Sequence, residues 1–264
     1  DALPTTGPAP VSQTAVDITA KALKSGKKAA IIIRGPALQR RGLVAAGRIA
    51  AATGARIMCD TFAPRVTRGA GVVMAERIPY FAEQIVDPFA EVEELILVCT
   101  KPPVSFFAYP GKASWCTPET AAIHYLAQAH EDGVQALEAL ADALGAPKDP
   151  IHVAPKKLVD TLPTGKLDQF TAGAIIARFL PQGAIISDEA ATAILNIELM
   201  RVGAENPGPK ALSMLDLHNP ELNWVHLGQG MGVESVRVTT CEDFADAYQA
   251  ALKAKGPRLI EVML

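Results

Sequence analysis

The sequence predicts an α/β protein: two doubly wound, mainly parallel-sheet domains, each layered α/β/α. Three observations predict it. Short apolar runs, "KKAAIIIRG", "ARIMCD" and "LILVCT", alternate with helical patterns in the first half of the chain. A proline-rich stretch over 146–166, "APKDPIHVAPKKLVDTLPTGK", then interrupts the alternation, and the pattern restarts beyond it. Finally, 49% of the 264 residues are hydrophobic but only 5% aromatic. Ala, Leu, Ile and Val carry that apolar weight, which suits a helix-covered parallel sheet better than a β-sandwich.

The elements follow in order. "DALPTTGPAP" reads as a Pro/Thr-rich linker over 1–12 and, starting without Met, as a trimmed or processed beginning. "VSQTAVDITAKALKSG" spaces Val16, Ile18, Ala22 and Leu23 for a helix that Gly26 ends. The run "AAIII" makes a strand buried on both faces. "PALQRRGLVAAGRIAAATG" makes a helix with Pro36 in its first turn and Gly54 after its last. "ARIMCD" is the second strand, "PYFAEQIVDPFAEVEE" a helix broken at Pro88, and "LILVCT" the third strand. An irregular segment, "KPPVSFFAYPGKASWCTPE", leads to the helix "DGVQALEALADALG". This places a first domain at 13–147, a linker at 148–165 and a second domain at 166–264. The second domain reads as the helix "LDQFTAGAIIARFLPQG", the strand "AIISD" and the helix "EAATAILNIELMRVGA". After them come the short helix "LNWVHLGQGMG", the strand "VESVRVT", the helix "CEDFADAYQAALKAKG" and the strand "RLIEVML".

Composition excludes several classes. A net charge of −3 and a pI near 6.0 argue against a nucleic-acid or anionic-membrane surface. No apolar run is long enough to cross a bilayer, and a cytoplasmic setting is expected. Cys59, Cys99, Cys116 and Cys241 are widely separated and form no CxxC, so they read as free thiols rather than a zinc or redox site. The histidines show no HExxH spacing, and no nucleophile elbow occurs.

Three stretches remain as candidates. The turn "RGPALQRRG" follows the first strand, but its Gly35 and Gly42 fit neither phosphate-loop spacing, and Pro36 lacks an N–H. Arg34, Arg40 and Arg41 would meet an anion there or simply stand in solvent. The rings of Phe106, Phe107 and Tyr109 in "FFAYPGK" would line an entrance or pack the loop onto its own sheet. In "GAIISDEAATAILNIELM", Asp188 and Glu189 end an apolar run, Ala190 and Ala191 permit close approach, and Thr192 offers a hydroxyl. Small residues with a hydroxyl at a helix N-terminus suit a diphosphate. Asp188 as a plain helix N-cap explains the same residues.

With these stretches, the whole chain resembles the acetolactate synthase-like branch of the thiamine-diphosphate (ThDP) enzymes. "KKAAIIIRGPALQRRGLVAAGRIAAATGARIMCD" and "FAEQIVDPFAEVEELILVCTKPP" resemble that family's central domain. "NWVHLGQGMGVESVRVTTCEDFADAYQAALKAKGPRLIEVML" resembles the end of its cofactor-binding domain. The resemblance implies decarboxylation or carboligation of 2-oxo acids with ThDP and Mg²⁺, by a homodimer or homotetramer. It places Glu189, Ala191 and Thr192 by the diphosphate, and Ala193, Ile194 and Leu195 toward the metal end. The departures are as specific as the match. The family's N-terminal pyrimidine-binding domain has no counterpart here, nor does its ylide-forming glutamate, and the sequence contains neither GDG nor NN. The second domain is therefore incomplete, its pieces joined near Thr192–Ala193. Either a deletion joined them, or the sequence joins segments of a longer chain, which is the favoured reading. As it stands the chain is expected to be inactive alone, with no catalytic residue or metal ligand of its own. Two other readings are a non-catalytic, partner-binding remnant and an FAD- or ADP-binding α/β protein.

Overall fold

The computed structural model describes residues 6–156, 160–187, 203, 208–210, 213 and 220–264. The chain divides into two compact units, Asp1–Lys157 and Leu158–Leu264.

In the first unit, β1 (Ala29–Ile33), β2 (Arg56–Cys59), β3 (Glu76–Arg77), β4 (Glu94–Val98) and β5 (Ala122–Ala127) form one parallel sheet, ordered β3-β2-β1-β4-β5. Period-two alternation sorts its side chains. Ile31, Ile33, Ile57, Cys59, Ile96 and Val98 share a core with α1 (Gln13–Leu23), α2 (Arg40–Thr53) and α4 (Gly133–Ala143). Ala30, Ile32, Met58, Leu95 and Leu97 share the opposite core with Ile85 and Phe89 of α3 (Ala82–Phe89). Both faces are covered, which is why these runs are continuously apolar. The winding reverses between β1 and β4, and that reversal opens a crevice beyond their carboxyl ends.

Three local departures from expectation have physical causes. The helix expected from Pro36 is split: Gly35–Leu38 is a 3-10 turn, Gln39 is extended (φ −91°, ψ 170°), and α2 starts at Arg40. The Gln39 N–H donates to the Pro36 carbonyl at 3.1 Å and closes the turn before the helix begins. Pro88 does not interrupt α3 but stands next to its last residue, where its effect is to end it. Strand β5 falls between the expected irregular segment and helix, because "AIHYLA" lacks the apolar run of an interior strand. It is an edge strand whose Ala122 and Tyr125 are exposed. Gly54 ends α2 as expected, at φ +73°, with its N–H on the Ala50 carbonyl at 2.8 Å.

The second unit contains α5 (Gln169–Phe179), α6 (Trp224–Gly230), α7 (Cys241–Lys253) and a parallel pair, β6 (Glu234–Val238) with β7 (Arg258–Val262). Leu167, Ile175, Val238, Cys241 and Phe244 form its core. The doubly wound sheet expected here is thus a two-stranded parallel sheet among the described residues. The strand expected at "AIISD" is not formed over its described part, 184–187, where Ile185 and Ile186 are 80% and 64% exposed. An apolar parallel strand needs neighbours and cover on both faces, and among the described residues this segment pairs with no strand. The helix expected over 189–204 lies, apart from Gly203, outside the described residues.

Candidate functional site

The positions assigned to the cofactor, Glu189, Ala191, Thr192, Ala193, Ile194 and Leu195, lie outside the described residues, as does Asp188. Among the described residues no group of three His, Cys, Asp or Glu side chains could hold a metal ion. A candidate site among the described residues lies in the first unit, in the crevice where the sheet reverses.

Three strand ends build its floor. The Arg34 N–H, following β1, donates to the Val98 carbonyl at 3.1 Å and so ties β1 to β4 beyond their ladder. Asp60 follows β2, and both its oxygens are taken. Arg34 Nη1 donates to Oδ2 at 3.0 Å, and the Thr100 hydroxyl, after β4, donates to Oδ1 at 2.7 Å. Cys99 lies between with φ +58°, a left-handed conformation rare outside glycine, and its N–H reaches the Ala127 carbonyl of β5 at 2.8 Å. The resulting cavity is about 890 Å³, lined also by Phe62, Ile78, Lys101, Val104 and Trp115.

The segment read as irregular forms one wall. Val104 and Trp115 make an antiparallel bridge, supported by Ser105 N–H on the Ser114 carbonyl (2.8 Å) and Cys116 N–H on the Pro103 carbonyl (3.1 Å). Cys116 is buried in the α3-side core and anchors this hairpin. At its tip the Lys112 N–H closes a turn on Tyr109, with Gly111 at φ +70°. Of the two expected roles for Phe106, Phe107 and Tyr109, the structure shows packing, and none of the three lines the cavity. Phe106 packs on Phe62 (5.0 Å between centroids) and Tyr80 (5.6 Å), and Phe107 on Phe106 (4.7 Å), while Phe62 and Trp115 line the cavity.

The chemistry of the remaining groups is restrained. Burial pushes the Cys59, Cys99 and Cys116 thiols up, so none is poised as a thiolate. All four cysteines are free, as expected. Of the arginines near the 3-10 turn, Arg41 is held by Glu138 at 2.8 and 3.1 Å and Arg34 by Asp60, while Arg40 reaches the Gly71 carbonyl at 3.5 Å. The Glu94 carboxyl, at the opposite end of the sheet, meets His124 Nε2 at 2.6 Å and Lys27 Nζ at 3.1 Å. Sequence reasoning missed Asp60 and Thr100. The signal available was position, since each stands just past the end of an apolar run.

The turn after β1 does not form a phosphate cradle. Pro36 has no N–H, the Gln39 N–H is spent within the turn, and Gly42 lies under the Ala37 carbonyl rather than facing a ligand. An acidic residue after β2 is where a ribose hydroxyl would bind, and Asp60 there already accepts from Arg34 and Thr100, one bond on each oxygen. For the FAD or ADP alternative, the turn after β1 offers no phosphate cradle.

No protein-family model matches the chain. A Mycobacterium tuberculosis protein assigned as an acetolactate synthase large subunit, IlvX, is 34% identical over 342 residues, covering 97% of this chain and 65% of that protein. In sequence the chain is similar to the acetolactate synthase-like branch of the ThDP-dependent enzymes. It spans about two-thirds of its relative (65%), and the 342-residue alignment is longer than the 264-residue chain. The relative therefore carries internal stretches with no counterpart here. Two solved structures share the fold of this chain. A ThDP-dependent 4-hydroxybenzoylformate decarboxylase of Rhodococcus jostii matches with a TM-score of 0.70 at 17% identity, over 99% of this chain and 66% of its own. A Mycobacterium smegmatis protein assigned as thiamin diphosphate-dependent matches with a TM-score of 0.69 at 13% identity, over 100% of this chain and 67% of its own. Among the described residues no helix is long and apolar enough to cross a membrane.

Proposed function

We propose that the chain is part of a ThDP- and Mg²⁺-dependent enzyme that decarboxylates 2-oxo acids or joins them by carboligation. The observation that carries this is the 34% identity to IlvX across 97% of the chain. When bound, the cofactor would supply an electron sink for the carbanion left by decarboxylation. Glu189, Ala191, Thr192, Ala193, Ile194 and Leu195 are the residues that would lie against it. The chain by itself is inactive on this reading, because the stretches that the longer alignment spans are needed to complete the site. The complete enzyme acts as a homodimer or homotetramer.

Two preparations test this: the 264-residue chain, and the same chain with the relative's unmatched stretches restored. Each is titrated calorimetrically with ThDP and Mg²⁺ and assayed for carbon dioxide release from pyruvate. The restored protein is expected to bind ThDP and release carbon dioxide, and the shorter chain to release none. A restored protein that binds no ThDP would overturn the cofactor reading. Turnover by the shorter chain would overturn its inactivity.

A further inference from the structure

We propose that the crevice of the first unit is a binding site for a flat aromatic acid carrying one negative charge, such as an aryl carboxylate without phosphate. Three observations carry it. The cavity, about 890 Å³, is within the range of small-molecule sites and lies where the sheet's winding reverses. Its walls are rings held in place from behind. Phe62 is backed by Tyr80 at 5.9 Å and Phe106 at 5.0 Å, and Trp115 is pinned by its bridge to Val104. Yet Phe62 and Trp115 remain 50% and 48% exposed, so their free faces are open to a ligand. Aromatic pairs of this kind add to simple burial through offset or edge-on contact.

The charge on the ligand follows from what is left over. Arg34 and Asp60 neutralise each other, and Thr100 completes the carboxylate. Lys101 lines the same cavity with no ion-pair partner among the described residues. One uncommitted cation matches one carboxylate. It does not match a diphosphate, for which the turn after β1 also lacks the amides. The rings select an aromatic body, and Lys101 selects a single anionic end.

The site is independent of the cofactor reading, because it lies wholly within the first unit and is tested without ThDP. The probes are phenylacetate, its saturated counterpart cyclohexylacetate, ADP and FAD. Binding is followed in the Trp224→Phe background, which leaves Trp115 as the only tryptophan, with calorimetry as the second readout. Phenylacetate is expected to change Trp115 emission saturably, with a Kd of roughly 0.1–1 mM. Cyclohexylacetate should bind about three- to tenfold more weakly, and so should phenylacetate to Phe62→Leu. That variant keeps bulk at a half-exposed position and leaves the fold intact. Lys101→Ala should weaken phenylacetate by a similar factor and remove most of its dependence on salt. The proposal is overturned by tighter binding of ADP or FAD than of phenylacetate. Equal affinity in Phe62→Leu, or no saturable change by about ten times the upper expected Kd, overturns it equally.

Discussion

In the first unit five strands lie side by side, and Ile31, Ile32 and Ile33 are fully buried between helices on both faces. Among the described residues of the second unit two strands pair, every residue of β7 is only half-buried, and Val236 in mid-β6 is 38% exposed. Helix α6 turns Trp224 and Leu227 outward at 48% and 49% exposure, and Met231, just past its end, is 83% exposed. Both units are written in the same apolar code, so the difference does not come from residue type. It comes from the number of neighbours a strand has. An interior strand shields its partners laterally while helices shield its faces, whereas a two-strand pair consists of edges alone. Cooperative burial thus grows faster than strand count.

The sharpest way to break this comparison is to cut equal volumes from the two cores. Phe89 is fully buried under the first sheet, and Phe244 is 4% exposed in the core of the second unit. Phe89→Ala is expected to cost about 3–5 kcal/mol, since the closely packed β1–β4 face cannot collapse onto the hole. Phe244→Ala should cost less than half as much, because a thin core relaxes more readily. Urea unfolding followed by circular dichroism reads both, and equal costs would remove the distinction. Native-state hydrogen exchange should agree, with the amides of β1 and β4 protected more strongly than those of β6 and β7.

Two glycines make a subtler contrast. A Cβ on Gly42 would lie 2.2 Å from the Ala37 carbonyl oxygen, a backbone atom of the 3-10 turn. A Cβ on Gly228 would lie 2.2 Å from the Ser235 hydroxyl oxygen but 3.3 Å from its Cβ, and that hydroxyl can rotate away. Gly42→Ala is therefore expected to cost about 1–3 kcal/mol through overpacking. Gly228→Ala should fall near the lower end of that range or below it. Thermal unfolding of the two variants checks the order.

The same contrast sets how much was legible beforehand. Where a strand is interior, its sequence is distinctive, as with "AAIII" and "LILV", and its position follows from the letters. Where a strand is an edge, as with Ala122–Ala127, exposure mixes His124 and Tyr125 into the run and the signal disappears. Ile185 and Ile186 show the reverse failure. Their composition is that of an interior strand, but composition cannot supply the neighbours that would make one. The candidate site divides similarly. Gly111 and the prolines mark a loop, but nothing in the letters brings Phe62 and Tyr80 to Phe106 across more than twenty residues of chain. That contact is set by the order of the strands. The crevice itself was legible only as a rule of topology, and its floor of Arg34, Asp60 and Thr100 required the structure.

The smallest expected effect concerns charge rather than packing. Glu94, at the start of β4, is 5% exposed and receives His124 from β5 and Lys27 from the turn before β1. Burial pushes its carboxyl up, but the hydrogen bonds from His124 and Lys27 outweigh this and hold it below the ordinary glutamate range. Glu91 and Glu93, the other acids beside this turn, face Lys28: the Lys28 ammonium meets Glu91 at 2.6 Å, and its N–H meets Glu93 at 3.0 Å. Because the folded carboxyl titrates lower than the unfolded one, Glu94 stabilises the fold fully above the ordinary glutamate range. That contribution is lost as pH falls through the depressed value. Glu94→Gln should therefore cost about 1–2 kcal/mol at neutral pH, less than a fully buried pair because Lys27 is half-exposed. The gap between wild type and variant should close on acidification. In the second unit the cross-strand pair Arg237–Glu261, bidentate at 2.8 and 3.2 Å, reaches out from the two-strand sheet with Arg237 40% exposed. Glu261→Gln should cost well under what Glu94→Gln costs, since solvent screens the arginine. Urea unfolding of both variants at neutral and acid pH measures the two gaps, and a Glu94 gap that stays constant on acidification would show that the carboxylate's charge contributes nothing to the clamp on β5.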